Sequence, residues 1–115
     1  MKRLGHIKLR DKERTAIIAF SRRLKKTLGK QLVSVLLFGS KARGDADKGS
    51  DIDVFILIKN KKNKVDDRIA EVTASVLNDY DVLISPVSYD LHEQQVNVRM
   101  HSFFFEAVEK EGIPI

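Results

Sequence analysis

Two stretches of the chain have apolar residues at helical spacing, and a third is predicted to be a helix from its terminal residues. In the first, residues 11–28, lysine and arginine fill one face and apolar side chains the other, at Ile17, Phe20, Leu24 and Leu28. The second keeps this spacing over residues 65–77, at Val65, Ile69, Val72 and Val76. The third, "SFFFEAVEKEG", has Ser102 as N-cap and Gly112 as a C-terminal stop. The pattern predicts three helices, with a short helical turn begun by Ser88 in "SYDLHEQQ".

Three shorter stretches are apolar at nearly every position, which is typical of strands buried on both faces. They read "QLVSVLLF" (residues 31–38), "IDVFILI" (52–58) and "DVLISPV" (81–87). Pro86 marks the third as an edge strand, or as lying near the strand end. The order helix, strand, strand, helix, strand, helix predicts an α+β or α/β fold, with a small mixed sheet flanked by helices.

The length of the chain predicts a single domain over residues 1–115, because 115 residues with 43% hydrophobic content form one core and are too few for two. The sequence has no cysteine, which excludes disulfides and thiolate-bound zinc and is compatible with a reducing cytoplasm. The N-terminus is basic with no apolar run before the charges, so we expect neither a signal peptide nor a membrane span. We therefore expect a soluble, cytoplasmic protein.

Charge is distributed unevenly along the chain. Residues 1–30 hold 11 Lys and Arg against 2 Asp and Glu, whereas residues 66–115 hold 3 against 10. A basic first third could attract a polyanion such as RNA, a triphosphate or an acidic partner surface. A solvated basic helix face is the favoured interpretation, and an RNA-binding module is disfavoured because no aromatic-rich nucleic-acid motif accompanies the charge.

The segment "FGSKARGDADKGSDID", residues 38–53, joins the first two predicted strands. Asp51 and Asp53 would project to the same side of a strand, about 7 Å apart along the backbone. Two carboxylates on one face repel each other unless a cation lies between them. Hard oxygen ligands suit Mg²⁺ or Mn²⁺, which binds through one or two carboxylates together with substrate phosphates. The pair therefore predicts a site for a metal-bound nucleotide.

The other end of this segment supplies groups suited to phosphate. Gly39 allows the backbone to approach a ligand closely, and Ser40 adds a hydroxyl that can donate to a phosphate oxygen. Lys41 and Arg43 add positive charge in the same turn, although either could equally be a solvated loop residue. If the two strands are neighbours, the Gly-Ser turn and the aspartates lie side by side.

Gly-Ser, a spacer of ten residues and Asp-x-Asp resemble the signature of the polymerase-β-type nucleotidyltransferases, and in particular of the minimal nucleotidyltransferase group. The spacer of that group often begins x-Ala-Arg-Gly, as it does here. "YDVLISPV" and "FFFEAVEKEGIPI" are similar to the third strand and last helix of such proteins. The resemblance covers nearly the whole chain and implies a polymerase-β-like nucleotidyltransferase core.

The resemblance also implies roles for individual residues. Asp51 and Asp53 would hold one or two Mg²⁺ ions, and the triphosphate of a nucleotide would be bound by Gly39, Ser40, Arg43 and Ser50. A hydroxyl would attack the α-phosphorus in line, and pyrophosphate would leave.

The family usually has a third metal-binding carboxylate on a neighbouring strand. Asp81, at the head of "DVLISPV", is the candidate for this catalytic and metal-binding role. Asp79 is a neighbouring acid, and Ser85 could occupy the position within the sheet instead.

These expectations lead to two functional hypotheses. The first is a Mg²⁺-dependent enzyme that transfers AMP from ATP to a hydroxyl of a partner protein, as the antitoxin of a pair whose toxin is a HEPN-domain ribonuclease. The second is a binding protein with the same fold that neutralises its partner by complex formation, with weak or no catalysis. Association into homo- or hetero-oligomers is left open by both.

Overall fold

Four strands and five helices form the part of the chain that the structure describes. This computed structural model describes residues 4, 7–43, 51–100 and 102–115, and for residues 40 and 43 it describes the backbone. The elements follow in the order α1 (Asp11–Leu28), a 3₁₀ turn (Gly29–Gln31), β1 (Leu32–Phe38), α2 (Ser40–Arg43), β2 (Ile52–Ile58), α3 (Val65–Tyr80), β3 (Ile84–Asp90), α4 (Leu91–Arg99), α5 (Phe103–Glu111) and β4 (Ile113–Pro114).

The strands form one mixed sheet in the order β3-β2-β1-β4. β1 is antiparallel to β2 and to β4, whereas β2 and β3 are parallel and are connected through α3. In an antiparallel pair, the end of one strand lies beside the start of the next. The end of β1 and the start of β2 therefore lie at the same edge of the sheet, as the sequence predicted.

Helices cover both faces of the sheet. Because side chains alternate along a strand, Ile52, Val54, Ile56 and Ile58 of β2 pack into the main core with α1 and α3. Phe55 and Leu57 point the other way and pack against α5, where they form a second, aromatic-rich cluster with Phe105 and Val108. β2 is thus buried on both faces, which explains its nearly continuous apolar sequence.

Periodicity predicted the first helix and the first two strands within about a residue, but the third strand was placed too early. β3 begins at Ile84 rather than at residue 81, because α3 continues to Tyr80 and ends at Asp81, whose φ of 56° is left-handed. Pro86 lies in β3, which is an edge strand of the sheet, as expected for a residue without a backbone N–H.

The predicted helical turn after β3 is a longer helix, α4, and it begins at a different residue from the one expected. Ser88 lies within β3, and Asp90 caps α4 by accepting a hydrogen bond from the Glu93 N–H at 2.8 Å. The Glu93 carboxylate accepts in return from the Asp90 N–H at 3.2 Å. This reciprocal capping box satisfies two backbone donors and starts the helix at Leu91.

Within the described residues, no helix combines the length and apolar character needed to span a membrane.

Candidate functional site

The turn after β1 lies directly against Asp53. Phe38, the last residue of β1, is paired with Asp53 in the antiparallel register. Gly39 has a φ of +77°, and a Cβ atom at this position would lie 2.5 Å from Asp53 Oδ2. Both the backbone conformation and the available space therefore require glycine here. The two halves of the predicted site are brought together at this contact.

Asp51 and Asp53 lie at the start of β2. Asp51 directly precedes the strand and is exposed, and Asp53 is partly buried. Because Ile52 and Val54 point into the main core, the Asp53 carboxylate lies on the opposite side of the sheet, the side of Phe55. Asp51, which precedes the strand, lines a pocket with Glu13 of α1. The predicted common face of the two carboxylates stays a prediction. Two carboxylates beside a close-approaching backbone turn are oxygen donors that fit Mg²⁺ together with phosphate oxygens.

Across the described ranges, no group of three or more acidic or histidine side chains comes close enough together to hold a metal ion. Asp81 lies outside β3, at the end of α3, with its side chain 90% exposed. The ammonium group of Lys12 on α1 donates to Asp81 Oδ2 at 3.2 Å. Asp81 and Asp51 nevertheless line the same pocket of about 170 Å³. The third-carboxylate role of Asp81 stays a prediction.

The two alternatives to Asp81 have different surroundings. Ser85 is the β3 residue paired with Asp53 in the parallel register, so a hydroxyl occupies the position beside this carboxylate within the sheet. Asp79 lies on α3, and its carboxylate forms an ion pair of 2.7 Å with the guanidinium group of Arg23 on α1. Hydrogen bonds from Arg23 and then Asn78 lower the pKa of Asp79 below its usual value. Asp79 is therefore engaged in joining two helices.

The short helix α2 carries two of the other predicted nucleotide-binding residues. Ser40 and Arg43 lie at its two ends, and their predicted contacts with phosphate stay predictions. Ser50 lies outside the described residues. Lys41, expected to contribute charge to the turn or to be solvated, is instead buried, with its ammonium group 2.7 Å from Glu13 Oε2. Its charge is neutralised by α1.

Glu13 is the residue of this region that the motif did not indicate. Its carboxylate also accepts a hydrogen bond from the backbone N–H of Arg10 at 3.2 Å, with the Arg10 Nε at 3.4 Å. Burial raises the pKa of Glu13, but the hydrogen bonds from Lys41 and Arg10 outweigh it and hold this pKa below 4.5. The sequence does indicate that this carboxylate is buried, because Glu13 falls on the apolar stripe of α1, four residues before Ile17.

Comparison with known proteins decides the family. A family model described as a nucleotidyltransferase domain matches residues 17–113. A protein of Methanocaldococcus jannaschii that is provisionally named a protein adenylyltransferase is 34% identical over 97 residues, which cover 84% of this chain and 91% of the relative. The chain belongs to the nucleotidyltransferase domain family. The predicted resemblance and the predicted enzyme class, a nucleotidyltransferase of the adenylyltransferase type, are thereby confirmed.

Two further proteins are similar to this nucleotidyltransferase. A second M. jannaschii protein with the same provisional name is 34% identical over 71 residues, which cover 59% of this chain and 48% of the relative. A crystal structure of a toxin–antitoxin with AMP-PNP aligns with a TM-score of 0.58 at 21% identity, over 91% of this chain and 72% of that one. At this identity the likeness shows the fold, and it confirms the predicted α+β nucleotidyltransferase core.

Proposed function

We propose that this nucleotidyltransferase binds ATP with Mg²⁺ and transfers AMP to a hydroxyl group of a partner protein. The observation that carries the proposal is the contact between the Gly39 turn and the Asp53 carboxylate, with Asp51 two residues earlier in the chain. A phosphate chain needs a closely approaching backbone on one side and metal-binding oxygens on the other. The match to the nucleotidyltransferase family supports this assignment of the two sides.

In the proposed complex, Asp51 and Asp53 hold Mg²⁺, for which Mn²⁺ could substitute, and a bound ion of this kind neutralises charge on the phosphate oxygens. Gly39, Ser40, Arg43 and Ser50 are the proposed contacts of the triphosphate. Gly39 contributes by its lack of a side chain, because a Cβ atom would press on Asp53.

The proposed reaction is an in-line displacement at the α-phosphorus. The acceptor oxygen forms the new P–O bond, the bond to the bridging oxygen of pyrophosphate breaks, and pyrophosphate leaves with that electron pair. Asp81 is the proposed third carboxylate, and it would take the proton of the acceptor hydroxyl from the pocket that it shares with Asp51.

The proposed acceptor is a protein, and specifically a HEPN-domain toxin that this chain neutralises in the cytoplasm. The provisional names of the two M. jannaschii relatives support a protein acceptor. The toxin–antitoxin neighbour supports a protein partner, and its AMP-PNP supports an adenine nucleotide.

One observation favours a second candidate, a protein of this fold that neutralises its partner by binding with little catalysis. Ser85, rather than a carboxylate, is paired with Asp53 in the neighbouring strand. If Asp81 does not supply the third carboxylate, the metal site that the reaction requires would lack one of its ligands.

The test is incubation of the chain with α-labelled ATP, Mg²⁺ and a HEPN-domain protein encoded beside it. We expect label on the partner, and a loss of about two orders of magnitude or more in rate with Asp53→Asn, because the metal contributes several kcal/mol of charge stabilisation. Asp67→Asn, an exposed aspartate in the first turn of α3, is the matched control and should transfer label normally. No label, or equal transfer by Asp53→Asn, would reject the enzyme. Neutralisation that survives in Asp53→Asn would favour the binding protein.

A further inference from the structure

A buried ion pair joins α1 to α2 beside the candidate site. Lys41 Nζ lies 2.7 Å from Glu13 Oε2, and the two side chains are only 6% and 5% exposed. Removing two charges from water is costly, and a buried pair often stabilises a fold no more than apolar side chains of the same size would. Unlike apolar contact, however, a hydrogen-bonded ion pair fixes the direction and distance between the elements that it joins.

The carboxylate of this pair is itself held in place. Glu13 accepts from the backbone N–H of Arg10 through its other oxygen, Oε1, at 3.2 Å, and the Arg10 Nε lies 3.4 Å from the same atom. One carboxylate oxygen thus faces the start of α1 and the other faces Lys41. Glu13 is a fixed point from which Lys41 is oriented.

The element on the other side of the pair cannot hold itself in position. α2 has four residues, too few for a stable helix without tertiary contacts. Ala42, 1% exposed, anchors it in the main core, and Lys41 anchors it to α1. Gly39, directly before α2, lies against the Asp53 carboxylate. A shift of α2 would therefore change the distance between the Gly39–Ser40 turn and Asp53.

We propose that Glu13 is a positioning residue: through Lys41 it holds the Gly39–Ser40 turn at the distance from Asp53 that nucleotide binding requires. This inference rests on the proposed function, because it assigns the nucleotide to that turn. Lys41 acts through its buried contact with Glu13 and not as a ligand of phosphate. Neither residue touches the reacting atoms.

Glu13→Gln separates this role from its two rivals, because it removes the negative charge and leaves Lys41 in place. If Glu13 positions the turn, loss of the Glu13–Lys41 ion pair weakens nucleotide binding. A Lys41 that binds phosphate directly would instead be freed by the substitution, and nucleotide binding would tighten. A merely stabilising pair would lower the melting temperature and leave nucleotide affinity unchanged well below it.

The experiment measures binding of AMP-PNP in the presence of Mg²⁺ by calorimetry, which requires neither an acceptor nor catalysis. We expect Glu13→Gln to weaken binding by about 10-fold to 100-fold, the size of effect of losing one hydrogen bond to a charged group such as phosphate. Amide hydrogen exchange over residues 39–43 should also accelerate in this variant. Lys41→Arg keeps a charged donor for Glu13 and should retain most of the affinity. The matched control is Glu71→Gln, an exposed glutamate of α3.

Each outcome bears on the inference. Unchanged nucleotide affinity in Glu13→Gln, with or without faster exchange over residues 39–43, would overturn it while leaving the proposed function intact, and so would tighter binding. The double variant Glu13→Gln, Lys41→Met removes both buried charges and leaves neither without a partner. It therefore serves as the control for a folding defect in either single variant. Affinity that returns to the wild-type value in the double variant would also count against positioning. A wild-type chain that binds no nucleotide would reject the proposed function together with this inference.

Discussion

Two adjacent residues of α1 reach the candidate site through ion pairs with opposite surroundings. Glu13 holds Lys41 in an almost fully buried contact of 2.7 Å. Lys12 holds Asp81 in a contact of 3.2 Å, in which the side chains are 49% and 90% exposed. The first pair anchors the element that follows Gly39, whereas the second leaves the proposed third carboxylate exposed to solvent.

The difference in exposure between the two ion pairs indicates which side of the site is rigid. A buried pair cannot exchange its partner for water without leaving an uncompensated charge, so it holds its geometry. An exposed pair contributes little free energy and opens readily, since water and salt compete for both partners. The Gly39 side of the site is therefore set in advance, whereas Asp81 is available for exchange with an arriving substrate.

The largest change in the free energy of unfolding should come from breaking the buried Glu13–Lys41 pair. Lys41→Met leaves the Glu13 carboxylate buried without its ammonium partner, and we expect a loss of about 3–5 kcal/mol in the free energy of unfolding. Chemical denaturation measures it. Lys61→Met is the matched control, because Lys61 forms a half-exposed pair with Glu93 beyond the opposite end of β2. A loss below about 1 kcal/mol, the range of an exposed pair, would show that the Glu13–Lys41 pair does not differ from Lys12–Asp81.

A smaller effect is expected from pH. The folded-state pKa of Glu13 lies below 4.5, so its ionised form stabilises the fold above that pH, and the contribution is lost as pH falls through the folded pKa. Lys41 and Arg10 contact Glu13, and Asp51 and Asp81 share the pocket that it lines. The difference in unfolding free energy between wild type and Glu13→Gln should be full near neutral pH and shrink below 4.5. A difference that grows on acidification would contradict the assignment.

The smallest effect should come from the exposed pair. Lys12→Met is expected to change the free energy of unfolding by at most about 1 kcal/mol, and this change should decline further in high salt. The same denaturation experiment at two salt concentrations checks it. A loss as large as that of Lys41→Met would remove the distinction between a rigid and an exchangeable side of the site.

The sequence predicted the elements whose periodicity is strong and missed contacts that depend on three-dimensional packing. α1, β1 and β2 follow from their apolar patterns, and the meeting of Gly39 with Asp53 follows from the adjacency of two strands. β3 was misplaced because a left-handed residue ends α3 without a glycine to announce it. Aspartate adopts this conformation only occasionally, so its presence in the sequence does not by itself indicate a helix end.

The surroundings of the site were less predictable than its motif. Lys41 looks like a solvated or phosphate-facing cation in a polar turn, and only the packing of α2 on α1 places it beside Glu13. Glu13 interrupts an apolar stripe, which indicates a buried carboxylate but does not identify its partner, 28 positions away in the chain. The family motif predicts which residues bind, and the Glu13–Lys41 pair is the proposed means by which the Gly39–Ser40 turn is positioned.

The central claim is that the Gly39 turn and the two aspartates form one site for a metal-bound nucleotide. The most direct test is calorimetric titration of AMP-PNP with and without Mg²⁺ into wild type, Asp53→Asn and the control Asp67→Asn. We predict that Mg²⁺ strengthens binding to wild type and to Asp67→Asn by about tenfold or more, and that Asp53→Asn, folded by circular dichroism, loses this gain. An equal gain in Asp53→Asn would contradict the account.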